Sequence, residues 1–229
     1  YNGSIDVRND NIDNLESANG PEETIINGSD SLNSGNGQAI QAGPGVADYD
    51  TLTIEGFNLI GNSRTTLAFL DSEQQASNIA FRNNTVNNTG TGNAAKVNSQ
   101  TENLTIVDNV FDAGDNAGLL VTERGPSTAG TPHKNVTVRN NEFGSTGTAG
   151  ATALKDIDGL TFSGNTLTDD GIQGFAVNLN PVGNATIADN NINVSGGGAD
   201  GILVSNDSGQ LSSVENISIE NNEITTDSS

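Results

Sequence analysis

Seven short blocks along the chain place a small or polar residue between two apolar ones. They are Leu52-Thr53-Ile54, Ile79-Ala80-Phe81, Leu104-Thr105-Ile106, Val136-Thr137-Val138, Leu160-Thr161-Phe162, Ala185-Thr186-Ile187 and Ile217-Ser218-Ile219. A period of two is strand periodicity, with alternate side chains on opposite faces. Five residues after each block begins comes Asn84, Asn109, Asn141, Asn165, Asn190 or Asn222, and Phe57 takes that place in the first copy. Two residues further on the chain is apolar again, at Leu59, Val86, Phe111, Phe143, Leu167, Ile192 and Ile224. Successive copies start 24 to 32 residues apart.

A further short strand follows each asparagine, read at Leu67/Phe69, Leu119/Val121, Ala151/Ala153, Phe175/Val177 and Gly201-Ile202-Leu203-Val204. Strands this short cannot bury a face alone, but stacked coils bury one continuous core. A coil of this length returns through its other sides, which satisfies the long crossover that parallel strands need. The asparagines then fall in one file. Asparagine tolerates turn conformations, and a file of amides can pass hydrogen bonds from coil to coil. The pattern predicts an all-β solenoid of about eight coils over residues 24–229. Residues 1–23 read as a polar segment or an incomplete first coil, with Ile5, Val7, Ile12 and Leu15 as its apolar positions.

Stretches such as Asn103-Leu104-Thr105-Ile106-Val107-Asp108-Asn109-Val110-Phe111 and Asn135-Val136-Thr137-Val138-Arg139-Asn140-Asn141-Glu142-Phe143 resemble the repeats of the pectate-lyase-like right-handed parallel β-helix superfamily. The resemblance spans residues 24–224. It implies a single right-handed parallel β-helix and leaves function open. That superfamily includes polysaccharide lyases, hydrolases, epimerases, phage tailspikes, adhesins and structural surface proteins.

Charge narrows the partners. With 8 Lys and Arg against 29 Asp and Glu, the formal net charge is −21. Such a surface repels nucleic acid and anionic membrane, both of which need clustered basic residues. Self-repulsion is large at low salt and is screened at molar salt, where the Debye length falls to about 3 Å. Scarce lysine with acidic excess therefore points to a high-salt habitat, outside the cell or on its surface. No membrane-spanning run is present, so membrane insertion is not expected. The chain starts at Tyr1, has no Met and shows no signal peptide, which reads as a processed part of a longer precursor. Cysteine is absent, which excludes disulfides. Ten Asn-x-Ser/Thr sequons, Asn27, Asn103, Asn135, Asn184 and Asn216 among them, are candidates for glycosylation.

Insertions in a solenoid emerge on one face and often carry the binding site. The longest runs from Val121 to Val136 and holds the sole histidine. Glu123, Arg124, His133 and Lys134 are its candidate ligand contacts, for a polysaccharide or surface glycan. Asp169 and Asp170 form an adjacent pair, and general acid and base work on a glycosidic bond needs two carboxylates at controlled separation. The pair resembles the paired carboxylates of polygalacturonase-like hydrolases, yet the Asn-Thr-Asp, Gly-His-Gly and Arg-Ile-Lys elements are missing. Asp112 with Asp115, and Asp156 with Asp158, are candidate ligands for a structural calcium ion, which takes six to eight oxygens. Arg82, Arg139 and Lys155 are the candidate bases of a lyase.

The β-helix ends expose unpaired strand edges that recruit other chains unless covered. A contact that does not close on itself builds a filament. The expected function is a noncatalytic, acidic, extracellular β-helix of a cell or virion surface, serving structure, adhesion or glycan binding and able to stack end to end. The alternative is a polysaccharide lyase or glycoside hydrolase acting on acidic polysaccharide.

Overall fold

The computed structural model describes residues 1–7, 12–29, 37–42, 50–62, 64–69, 76–122, 132–146, 150–169, 175–195, 200–206 and 214–226. Its elements repeat in threes. Coil one carries β1 (Ile5–Asp6), β2 (Asn14–Glu16) and β3 (Ile25–Asn27). Coil two carries β4 (Ile40–Ala42), β5 (Leu52–Glu55) and β6 (Asn58–Gly61). Coil three carries β7 (Leu67–Phe69), β8 (Ala76–Arg82) and β9 (Thr85–Asn88). Coil four carries β10 (Ala95–Val97), β11 (Thr101–Val107) and β12 (Val110–Ala113). Coil five carries β13 (Leu119–Val121), β14 (His133–Arg139) and β15 (Glu142–Ser145). Coil six carries β16 (Thr152–Leu154), β17 (Ile157–Ser163) and β18 (Thr166–Asp169). Coil seven carries β19 (Phe175–Leu179), β20 (Val182–Ala188) and β21 (Asn191–Val194). Coil eight carries β22 (Asp200–Val204), β23 (Glu215–Glu220) and β24 (Glu223–Thr226).

Every third strand joins one sheet, giving three parallel sheets of eight strands. Sheet I runs from β1 to β22, sheet II from β2 to β23 and sheet III from β3 to β24. The protein is an all-β parallel solenoid, a β-helix. Residues 1–23 contribute β1 and β2, which pair in parallel with β4 and β5. They therefore belong to the coil stack.

Register converts the sequence blocks into vertical files. In sheet III, Ile26, Leu59, Val86, Phe111, Phe143, Leu167, Ile192 and Ile224 lie over one another. The Phe111 and Phe143 rings stack at 5.3 Å between centroids. Sheet II adds the files that start at Leu52 and Ile54. Inward apolar side chains of coils one to seven form one buried cluster. In coil six the expected inward pair Ala151/Ala153 is corrected by one residue. Thr152 and Leu154 align with Leu119 and Val121, and Ala153 takes an outward place. In coil seven Val177 and Leu179 align with Thr152 and Leu154, two positions beyond the expected phase. Variable turns before sheet I shift the phase, and a fixed count from the asparagine does not see them.

The eighth coil is the exception to burial. Ile219 is 49% exposed and Ile224 46% exposed, although both occupy inward files. No helix among the described residues is long and apolar enough to cross a membrane.

Candidate functional site

The turn from sheet II to sheet III is the most repetitive part of the molecule. The residue before each ladder position has a left-handed backbone: Gly56, Asn83, Asp108, Asn140, Gly164, Asp189 and Asn221. Gly, Asn and Asp are the residues that adopt this region at least cost. The reversal turns the next side chain inward. Asn84, Asn109, Asn141, Asn165, Asn190 and Asn222 then form a ladder. Asn109 is typical. Its Oδ1 accepts from the backbone N–H and the Nδ2 of Asn84, at 3.0 and 3.1 Å. Its Nδ2 donates to Phe81 O and Val107 O and to Asn141 Oδ1. Phe57 has no amide, and its backbone N–H donates to Asn84 Oδ1 at 3.1 Å, so the ladder starts there. The amides of Asn84, Asn109, Asn141, Asn165 and Asn190 are buried, that of Asn222 partly so, and all are spent on the fold.

The candidate ligand residues do not share one face. Glu123 and Arg124 lie outside the described residues. His133 opens β14 facing inward, with 0% of its surface exposed. Its backbone N–H donates to Asp156 O at 2.8 Å, and its Nδ1 lies 2.9 Å from Thr101 Oγ1. Burial lowers its pKa to about 4, and the Thr122 backbone only partly opposes this. The imidazole is a neutral interior group, which corrects its assignment as a ligand contact. Strand alternation puts Lys134 on the opposite, exposed face. There it aligns with Glu102 and Asp158 of the adjoining coils.

Asp170 lies outside the described residues. Asp169 ends β18 on the inward side with 0% exposure, in register with Ser145 and Val194. A carboxylate walled inside the coil cannot reach a polysaccharide outside it, so Asp169 is corrected from a catalytic to an interior residue. The acidic pairs fare similarly. Asp112 and Asp115 are exposed. Asp156 is buried in a turn with φ 54°. Asp158 accepts a hydrogen bond from Asn184 Nδ2 at 2.7 Å. Among the described residues no three carboxylate or imidazole groups converge. Among the described residues neither pair thus gains a third carboxylate.

The outer face of sheet I carries residues that the repeat does not mark. Ala68, Lys96, Leu120 and Ala153 align there on adjacent strands. Ala68 and Ala153 are buried despite their outward position. Lys96 is half-buried, and desolvation lowers its pKa. From coil two onward the variable-length connections enter or leave sheet I. The signal that points to Lys96 is its place between inward Ala95 and Val97, a lone cation in an outer file whose nearest members, Ala68, Leu120 and Ala153, are apolar and whose farther members include Asp6, Gln41 and Asn178.

No protein-family model matches the chain, and no match was found among the curated proteins or the solved structures.

Proposed function

We propose that this protein is a noncatalytic β-helix of an extracellular, high-salt surface, of the pectate-lyase-like type. Its work is structural or adhesive, with a glycan held along the outer face of sheet I. The observation that carries this reading is the half-desolvated Lys96, set among Ala68, Leu120 and Ala153. An apolar strip with one partly desolvated cation suits the flat face and anionic groups of an acidic sugar. Acidic surroundings favour a ligand engaged through few charges, because the chain as a whole repels anions. The interior position of Asp169 argues against a hydrolase.

The lyase reading keeps one specific support, which is also Lys96. A lysine with lowered pKa loses its proton more readily and suits proton abstraction. Its weakness is the absence, among the described residues, of a carboxylate cluster that would hold calcium against a uronate.

Titration calorimetry with alginate, polygalacturonate and neutral glycans, each with and without calcium, tests the proposal. Wild type should bind an acidic polymer, and Lys96→Ala should weaken it at least tenfold. Unchanged affinity in Lys96→Ala rules out this face. Release of an unsaturated uronate product, seen by ultraviolet absorbance and lost in Lys96→Ala, would establish the lyase in its place. End-to-end stacking is part of the same proposal. Electron microscopy at high salt should show filaments, and uniform single particles would remove it.

A further inference from the structure

Sheet II holds a second file of asparagines, on the outside. Asn78, Asn103, Asn135, Asn184 and Asn216 occupy the same place near the start of successive strands, with Gly159 in the remaining coil. All five asparagines have φ between 51 and 61°, and Gly159 has φ 86°. The pairing register skips them: Glu102 pairs Lys134 and Leu104 pairs Val136, leaving Asn103 and Asn135 between. Each strand thus carries the same left-handed kink at one unpaired position, with no residue inserted on either side. The kink turns the asparagine side chains outward, and they are exposed.

These side chains bond along the axis. Asn103 Nδ2 donates to Asn78 Oδ1 at 3.1 Å, and Asn135 Nδ2 donates to Asn103 Oδ1 at 3.3 Å. Beyond the gap at Gly159, Asn216 Nδ2 donates to Asn184 Oδ1 at 2.9 Å. Asn184 Nδ2 donates to the Asp158 carboxylate at 2.7 Å, and Asn78 Nδ2 donates to Asp50 O at 2.9 Å. Both runs end on a pure acceptor, which fixes the amide orientation. The outer file donates toward coil one. The buried ladder donates toward coil eight.

Four of these residues head sequons: Asn103-Leu-Thr, Asn135-Val-Thr, Asn184-Ala-Thr and Asn216-Ile-Ser. We infer that these four sequons are rungs of an outer amide ladder and carry no N-linked glycan in the folded protein. An N-glycosidic bond replaces one Nδ2 hydrogen with a sugar carbon. Here one Nδ2 hydrogen is already committed to the neighbouring coil, so a sugar on the other would have to lie in the plane of an amide that the ladder holds in place. Acceptor sequons belong to surface loops, whereas these lie within paired strands. The rungs also repeat at the strand spacing of about 4.8 Å, which leaves no room for sugars on consecutive coils. This inference is independent of any ligand on sheet I.

Two measurements test it. The first compares Asn135→Gly with Asn140→Gly. Both sites lie in one coil with left-handed backbone, at φ 53 and 55°. Glycine keeps that backbone, so the difference reads the side-chain hydrogen bonds. Asn135→Gly should lower the folding equilibrium constant about tenfold more than Asn140→Gly does. Equal losses overturn the ladder. The second secretes the protein from a eukaryotic host and maps all ten sequons by peptide mass after glycan removal. Asn103, Asn135, Asn184 and Asn216 should be unmodified in the folded fraction. A glycan on any of them, in chains that melt like unglycosylated protein, overturns the inference.

Discussion

Asn141 shows what one rung of the buried ladder does. Its Oδ1 accepts from Asn109, and its Nδ2 donates to Ile106 O, Arg139 O and Asn165 Oδ1. Asn141→Ala leaves several buried groups without partners, at ~1–3 kcal/mol for each that finds no water. We expect a loss of about 3 kcal/mol or more, measured by urea denaturation. A loss near that of an exposed asparagine would refute the assignment. His133 gives a pH prediction. Its folded pKa, about 4, lies below its ordinary value of 6.5. Above 6.5 the ring is neutral in both states and costs nothing. As pH falls from 6.5 toward 4, the unfolded chain takes up a proton that the folded chain refuses. Stability should drop across that window by roughly 3 kcal/mol. His133→Leu should flatten the pH dependence between 6.5 and 4; identical profiles would contradict it. The ladder asparagines were legible because they recur at a fixed offset. The inward turn of His133 was not, since the left-handed Asn135 breaks the alternation between it and Val136; that of Asp169 follows from alternation with Leu167 but was masked by its charge.

Among the elements, the strands of sheets II and III follow from the repeat, and so do their core files. The left-handed kink in sheet II was hidden for a simple reason. Asn103 and its equivalents read as ordinary polar residues before a strand, and only the backbone shows that the strand begins two residues earlier. The phase of sheet I was legible in coils three and five and failed in coils six and seven, where the preceding turns differ in length. Close turn packing sets a further constraint. A Cβ on Gly92 would collide with the backbone of Arg64 in the preceding coil. Gly92→Ala should force the two turns apart and lower the melting temperature by several degrees, consistent with 1–3 kcal/mol for roughly this degree of overpacking. Differential scanning calorimetry reads it, and an unchanged melting temperature would show that the turns can part freely.

For the whole molecule, charge and stacking dominate. A net charge of −21 on one short solenoid should make folding salt-dependent. The melting temperature should rise steadily from 0.1 to 2 M sodium chloride as screening takes hold. A flat response would remove the argument for a high-salt habitat. The fold class was legible because every coil repeats one rule, while the occupant of its surface was not, because no repeat encodes it. The interstrand hydrogen bonds of all three sheets point along the axis of the stack. Tension applied at the two termini therefore loads them one winding at a time, like thread drawn from a spool. Each winding released would lengthen the tether by roughly 90 Å, at about 3.3–3.6 Å per extended residue. Under such a pull the protein would yield in discrete steps, one per winding, and keep its remaining turns intact.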